Sequence, residues 1–268
     1  MTPSILSIVN LTEDSFSDGG LFLDPAAAIA QAKAEAAAGA GILDLGAAAS
    51  NIASRPVAPD EEIRRLAPVV DALHRDGLAV SIDSFSPAVQ HWALNRGVAY
   101  LNDIQGFPFP ELYADLAASK TKLIVMHSVQ GRGKATTVDV SPEDILGRIV
   151  GFFEVRLAAL TGAGIERERL ILDPGMGFFL SSDPQTSFEV LRRLPELKRM
   201  FGLPVLVGVS RKSFLRKLTG KSSAAGAATL AAELFAAQCG ADYIRTHEAG
   251  PLADGLTVWR GATSRNQP

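Results

Sequence analysis

Asn10, Asp44, Asp83 with Ser84, Asn102 with Asp103, His127, Asp173, the run Ser210 to Ser213, and Arg245 with His247 each stand at or near the end of a short apolar run. Between them they offer carboxylates, amides, hydroxyls and cations, the groups that give a small hydrogen-bonding ligand a polar floor. Singly, an Asp or Asn at such a place is as readily a cap for the element that follows. As a ring contributed by most of the runs, they predict a central pocket. A covalent route is not indicated: the only cysteine, Cys239, lies in a predicted helix, and no serine has an evident His and Asp partner arrangement.

The runs that must position these residues are Ile5 to Asn10, Ile42 to Gly46, Leu78 to Ser84, Tyr100 to Ile104, Leu123 to His127, Leu170 to Gly175, Val205 to Ser210 and Tyr243 to His247. Their length and composition predict strands. Between them the periodicity turns helical over Pro25 to Ala38, Glu61 to Arg75, Pro87 to Asn95, Pro142 to Leu160, Glu189 to Met200 and Ala225 to Gln238. Asp24-Pro25, Ser86-Pro87, Ser141-Pro142 and Asp183-Pro184 each put a cap residue before a helix-starting proline. Gly39, Gly77, Gly97, Gly164 and Gly240 stand where left-handed C-caps are expected.

Eight strands in alternation with helices predict an α/β fold, a (β/α)₈ TIM barrel forming one domain over residues 1 to 268. In that fold the strands' C-terminal ends form the active face, which is where the polar ring falls. The glycine-rich dinucleotide fingerprint is absent, which argues against an open doubly wound sheet. Two connections, Leu11 to Asp24 and Ala47 to Pro59, are longer than a compact barrel needs and read as lids. A third, Ser128 to Ser141, carries Gly131, Arg132, Gly133 and Lys134 and reads as flexible, and Gly261 to Pro268 as a fraying end.

The chain has 268 residues, 47% hydrophobic and 21% charged, with a net charge of −3. That balance belongs to a folded globular protein. No Lys and Arg cluster offers a track for a phosphate backbone, so nucleic acid is not an expected partner. No apolar stretch is long enough to span a bilayer and the first ten residues do not read as a signal peptide. With one cysteine ruling out an internal disulfide, a cytoplasmic protein without a membrane partner is expected.

Six segments taken in order carry a resemblance. Asn10-Leu11-Thr12-Glu13-Asp14-Ser15-Phe16-Ser17-Asp18-Gly19-Gly20, Ser81-Ile82-Asp83-Ser84, Asn102-Asp103-Ile104, Asp173-Pro174-Gly175-Met176-Gly177-Phe178, Ser210-Arg211-Lys212-Ser213 and Arg245-Thr246-His247 resemble the successive motifs of dihydropteroate synthases. The resemblance implies a transferase of folate biosynthesis that joins a 6-hydroxymethyl-7,8-dihydropterin diphosphate to p-aminobenzoate, and a homodimer. Matched motif by motif, it implies Asp83, Asn102, Asp173 and Lys212 as the pterin pocket. Their carboxylates, amide and ammonium suit an aminopyrimidinone edge of adjacent donors and acceptors. It further implies Arg245 and His247 as the diphosphate holders, and Asn10 as the protein ligand of a Mg²⁺ that also takes diphosphate oxygens. Asn10, Lys212, Arg245 and His247 are then the catalytic set, acting where charge grows on the leaving group.

The match is not complete. Where the family has a Glu-Ser-Thr-Arg-Pro run, Asp44-Leu45-Gly46 is followed here by Ala47-Ala48-Ala49-Ser50-Asn51, with Arg55-Pro56 arriving late. After Gly177-Phe178 this chain has Phe179-Leu180 in place of the usual Gly and Lys. Ser50, Phe178, Phe179 and Ser213 are the candidates for the p-aminobenzoate pocket, which an extra ring would narrow. These departures resemble the sulfonamide-insensitive, drug-resistance branch of the family; the alternative is that Phe179 merely packs. A pterin-dependent methyltransferase and a non-catalytic pterin-binding protein are the rival functions.

The remaining polar and aromatic residues have plainer expectations. Asp103 and His127 read as caps, His74 and His91 as surface or packing groups, and Trp92 and Trp259 as helix packing. Glu35, Glu61 and Glu62 read as solvated helix faces, and Cys239 as a small buried hydrophobe.

Overall fold

The computed structural model describes residues 2–12, 24–48, 56–129, 139–220 and 226–263. Strand and helix alternate in the order β1 (Ser4–Asn10), α1 (Pro25–Ala37), β2 (Ile42–Gly46), α2 (Pro59–Arg75), β3 (Val80–Asp83), α3 (Pro87–Asn95), β4 (Tyr100–Asp103), α4 (Tyr113–Ala118) and β5 (Lys122–Met126). There follow α5 (Pro142–Gly162), β6 (Leu170–Asp173), α6 (Pro184–Phe201), β7 (Leu206–Val207), α7 (Ser213–Thr219), α8 (Ala227–Gln238), β8 (Tyr243–Thr246) and α9 (Ala249–Thr263). All the strand pairs are parallel, in the order β6-β5-β4-β3-β2-β1-β8-β7. A parallel bridge between Leu172 and Val205, with the Leu172 N–H donating to the Pro204 carbonyl at 2.9 Å, closes β6 onto β7. The predicted (β/α)₈ barrel is therefore the fold.

Strand registers decide which side chains face the barrel interior. Residues paired across a ladder share a face: Leu6 with Ile42, Ile8 with Asp44, Asp44 with Ser81, Ser81 with Tyr100, Asp83 with Asn102, Asn102 with Ile124, and Met126 with Asp173. The lower part of this interior is apolar, a cluster of Leu6, Ile42, Ile124, Ile171 and Leu206 with Tyr100 and Tyr243 packed against it. The alternate positions, such as Val9, Leu43, Val80, Leu101, Leu123 and Ile244, meet the surrounding helices in a second and larger core. A fully buried leucine of that layer, such as Leu66 or Leu73 on α2, contributes roughly 2 kcal/mol by leaving water. The interior row ends upward in polar residues, so the barrel is plugged below and polar above.

The helix starts follow proline more closely than periodicity. α6 begins at Pro184, five residues before the periodic stretch, and the Asp183 carboxylate accepts from the Gln185 N–H at 2.9 Å. Asp24 and Ser141 cap α1 and α5 in the same way, whereas Ser86 makes no side-chain cap and gives its N–H to the Ser84 hydroxyl instead. The sequence pattern does not mark α4 and α7, because six and seven residues are too few for a period to register. β7 is shorter than predicted: beyond Val207 the chain leaves the ladder for the turn that presents Ser210 and Lys212, with the Lys212 N–H donating to the Val209 carbonyl. No described helix is long and apolar enough to cross a membrane.

Candidate active site

Arg245 lies at the centre of the upper face. Its register partner is Leu6, so it faces inward from β8, with its stem beside Gly208: a Cβ there would sit 3.7 Å from the Arg245 Cβ, an ordinary contact. Its Nε donates to Asp44 Oδ2 and its Nη2 to Asp83 Oδ2, both at 2.6 Å. Burial works against the guanidinium, but Asp44 and Asp83 more than reverse this and leave it held above its ordinary pKa. A guanidinium has five N–H donors, so the two carboxylates do not exhaust it. Asp44 is the residue that motif matching left without a role; its place in the strand-end ring, on the inward parity, was the signal.

Around this pair the floor has spare hydrogen-bonding capacity. Asp44 Oδ1, Asn102 Oδ1 and Ser81 Oγ are buried without a protein partner, and Asn102 Nδ2 makes only a long 3.4 Å contact to Asp44. Buried polar atoms are normally satisfied, so three together mark a place where a ligand completes the set. Burial pushes the Asp83 carboxyl up to about 7, with Arg245 opposing and Asp44 and Asp103 assisting. Burial likewise raises Asp173 to about 6, against the Gly175 N–H that donates to its Oδ1 at 2.8 Å. Lys212 is brought down to about 8 by burial and then by Arg245.

The predicted sites thus converge from separate strands. Asn10 ends β1 beside Gly46, where a Cβ would lie 3.8 Å from both Asn10 Oδ1 and Asp83 Cβ, so the amide and the carboxylate border one space. His247 Nδ1 meets Ser210 Oγ at 3.0 Å, and the His247 N–H donates to the same oxygen. Burial, followed by Arg211, Arg245 and Lys212, lowers this imidazole to about 3, which makes it neutral at physiological pH. The Lys212 ammonium stands 5.0 Å from the centroid of the Phe179 ring, a cation–π contact. Phe179 belongs to a 3-10 turn, Gly177–Phe179, seated on the start of α7: a Cβ at Gly177 would come 3.3 Å from Ser213 Oγ. Phe178 in the same turn is 48% exposed, and Phe179 and Ser213, of the expected p-aminobenzoate set, border Lys212. Ser50, with Asn51 and Arg55, lies outside the described residues, as do most of the two expected lids.

Of the plainer expectations, Asp103 does cap: it is fully buried and accepts from the N–H groups of Gln105 at 2.7 Å and Phe107 at 3.1 Å. His127 pairs with the Pro174 carbonyl at 3.0 Å and lies edge-on to Phe152, a structural setting that lowers it to about 4, chiefly by burial. Three expectations are corrected. Glu62 is buried and accepts from the Ser84 hydroxyl at 3.0 Å, and Glu35 accepts from Ser7 Oγ and from the Ala249 N–H at the head of α9, both at 2.8 Å. These carboxylates are tied to the strands behind the site instead of to water. Cys239 is half-buried and not fully enclosed.

Gly175 is a strict point in this construction. Its φ is +75°, and a Cβ would fall 2.4 Å from the His127 carbonyl oxygen. Gly175→Ala is expected to destabilise the fold by about 2–3 kcal/mol, read as a lowered urea midpoint, and to cost activity because relieving the clash with the His127 carbonyl shifts the residue 175 N–H that donates to Asp173.

The chain matches the pterin binding enzyme family over residues 6–247. It is 60% identical over 255 residues to the Escherichia coli protein named dihydropteroate synthase type-2, covering 95% of this chain and 94% of that one. The chain belongs to the dihydropteroate synthase family. Among solved structures, that of Xanthomonas albilineans dihydropteroate synthase with 4-aminobenzoic acid superposes with a TM-score of 0.87 at 34% identity, covering 98% of this chain and 94% of the other. The Yersinia pestis dihydropteroate synthase in complex with a sulfonamide drug gives a TM-score of 0.89 at 30% identity, covering 98% and 95%. The family's architecture thus extends over the whole described barrel.

Proposed function

We propose that this chain condenses 6-hydroxymethyl-7,8-dihydropterin diphosphate with p-aminobenzoate, releasing 7,8-dihydropteroate and diphosphate, with the whole site carried on one barrel domain. The observation that supports this best is the cluster of unsatisfied acceptors and carboxylates on β2, β3, β4 and β6 facing cations from β8 and the turn after β7. Asp83, Asn102 and Asp173 read the donor-rich edge of the pterin, and Lys212 bonds its ring acceptors. Arg245 and neutral His247 hold the diphosphate. Their side of the mouth is also where barrels commonly bind phosphate.

The reaction breaks the bond from the pterin methylene to the diphosphate oxygen, and the electron pair leaves with the diphosphate. The amine nitrogen of p-aminobenzoate then forms the new bond to that carbon and gives up a proton. Arg245 acts on the charge that grows on the departing oxygen, in a site where it is already fixed in place. No protein nucleophile is needed. A Mg²⁺ would fit the amide oxygen of Asn10, which borders the same space as Asp83, because an ion of this kind is held by one or two protein oxygens plus substrate phosphates. Asn10 Oδ1 is its protein ligand in this reading, and the ion supplies charge neutralisation at the diphosphate.

We further assign sulfonamide insensitivity to Phe179, with Ser50, Phe178 and Ser213 completing the p-aminobenzoate pocket. A sulfonamide is bulkier beyond its acidic group than p-aminobenzoate, so a ring fixed against Lys212 narrows the pocket against the drug more than against the substrate. A methyltransferase would have no use for the phosphate-holding side, and a sequestering protein none for a poised leaving-group site. A cytoplasmic homodimer is part of the same proposal, with α9, whose Val258 is 72% exposed, as the candidate interface.

The test is steady-state release of diphosphate and formation of dihydropteroate with Mg²⁺, across a sulfonamide titration. Turnover is expected to persist at drug concentrations that stop ordinary synthases. Phe179→Gly should lower the inhibitory concentration by about 10- to 100-fold, the range of one pocket contact. Absence of turnover would overturn the synthase reading, and unchanged inhibition of Phe179→Gly the assigned role.

A further inference from the structure

Behind the pterin side of the barrel runs a buried polar chain that the reaction itself does not use. Glu62, Ser84, Gln90 and Asp103 are each no more than 4% exposed. The Ser84 hydroxyl donates to Glu62 Oε2 at 3.0 Å. Gln90, on α3, donates through one amide nitrogen both to the Ser84 carbonyl at 2.7 Å and to Asp103 Oδ2 at 2.8 Å. Asp103 also receives the Gln105 and Phe107 N–H groups, and the Ser84 N–H donates to the Asn102 carbonyl at 3.1 Å.

The place of this chain in the register gives it meaning. Asp83 and Asn102 are direct cross-strand partners pointing inward, and Ser84 and Asp103 are the residues that follow them. Gln90 therefore joins the two strand ends from the outer side, one residue beyond each inward group. Past Asp103 the backbone is also held hard: Phe107 takes a φ of +58°, a left-handed conformation costly for a bulky residue, and its carbonyl accepts from the Tyr113 hydroxyl and from Arg156. Such strain persists only where surrounding contacts over-determine it.

We propose that Gln90 is a positioning residue for pterin recognition: its double hydrogen bond fixes the spacing of Asp83 and Asn102, and so sets affinity for the pterin without touching it. This rests on the reading of Asp83 and Asn102 as pterin contacts. Groups that must match a rigid heterocyclic edge tolerate little displacement, and their geometry is only as firm as the shell supporting them. The hydrogen bonds of this network run to the ends of β3 and β4, which carry Asp83 and Asn102, whereas Phe179 and Ser213 are carried by the turn after β6 and the start of α7, so its effect falls on the pterin.

The experiment compares wild type with Gln90→Met, close in volume but unable to donate, and with Ser84→Ala as a milder second variant. Calorimetric Kd for the pterin diphosphate and KM for p-aminobenzoate are the readouts. Gln90→Met is expected to raise the Kd about 10-fold while the KM for p-aminobenzoate stays within about twofold. Ser84→Ala should shift in the same direction by less. A folded variant with wild-type Kd, or with both constants raised alike, overturns the inference. A wild type that binds the pterin without turning over overturns the synthase reading and leaves the Kd comparison to decide this one.

Discussion

Arg245→Met is expected to lower kcat/KM about 10³-fold, on the scale of removing a fixed electrostatic contact to a developing charge. Two losses combine. The leaving group loses a pre-positioned cation, and Asp44 and Asp83 are left facing each other without the guanidinium that joins them at 2.6 Å on either side. Stability should fall by about 3 kcal/mol, the scale for breaking a buried ion pair by removing one partner. That loss depends on pH. Burial already raises Asp83 to about 7, and without Arg245 it rises further, so a folded state that keeps its proton escapes part of the repulsion at low pH. Urea unfolding should therefore show the larger deficit at pH 8 and a smaller one at pH 5.5. Arg245→Lys restores charge but cannot span two carboxylates, so most of the kinetic loss should remain. Equal deficits at both pH values, or turnover within tenfold of wild type, would remove Arg245 from the centre of the site.

Much of this site was legible in the sequence because a parallel barrel gathers one kind of position. Every strand end reaches the same face, so Asn10, Asp83, Asn102, Asp173 and Arg245 could be grouped from their places in separate apolar runs before any contact was known. What could not be read was partnership. Asp44 carries half of the Arg245 pairing, yet the two are 201 residues apart and nothing local marks them. Glu35 and Glu62 misled for a related reason: a carboxylate on an amphipathic helix reads as solvated until the helix's rotation about its axis is known, and here both turn toward barrel hydroxyls, Ser7 within β1 and Ser84 just past β3. Phe179 was visible as a departure from the family pattern; its seat against Lys212 depends on how the turn from Gly177 lies on α7. Where the structural reason was short-range, as at Pro184 and Asp183, the sequence located the boundary better than periodicity did.

Asp173→Asn should separate activity from stability in opposite directions. In the wild type this carboxyl is 5% exposed and raised to about 6, mainly by burial, while in the unfolded chain it titrates near its ordinary value of about 4. As pH rises through that window the unfolded state gives up its proton first, so this carboxyl costs the wild type stability between about pH 4 and pH 6, a cost that stays in full above it. Asparagine does not titrate and keeps an oxygen for the Gly175 N–H, which now donates to Asp173 at 2.8 Å. The variant should accordingly match wild type near pH 4 and exceed it by about 1–3 kcal/mol at pH 8, with part of the gain offset by the charge partner that Lys212 loses. Turnover should nevertheless fall about 10²- to 10³-fold, because a neutral amide presents one acceptor where the pterin edge requires an anionic pair. Such a result identifies Asp173 as a group kept at a cost to the fold for the sake of the ligand. A variant less stable than wild type at pH 8, or one that turns over normally, would show instead that the buried charge serves the barrel.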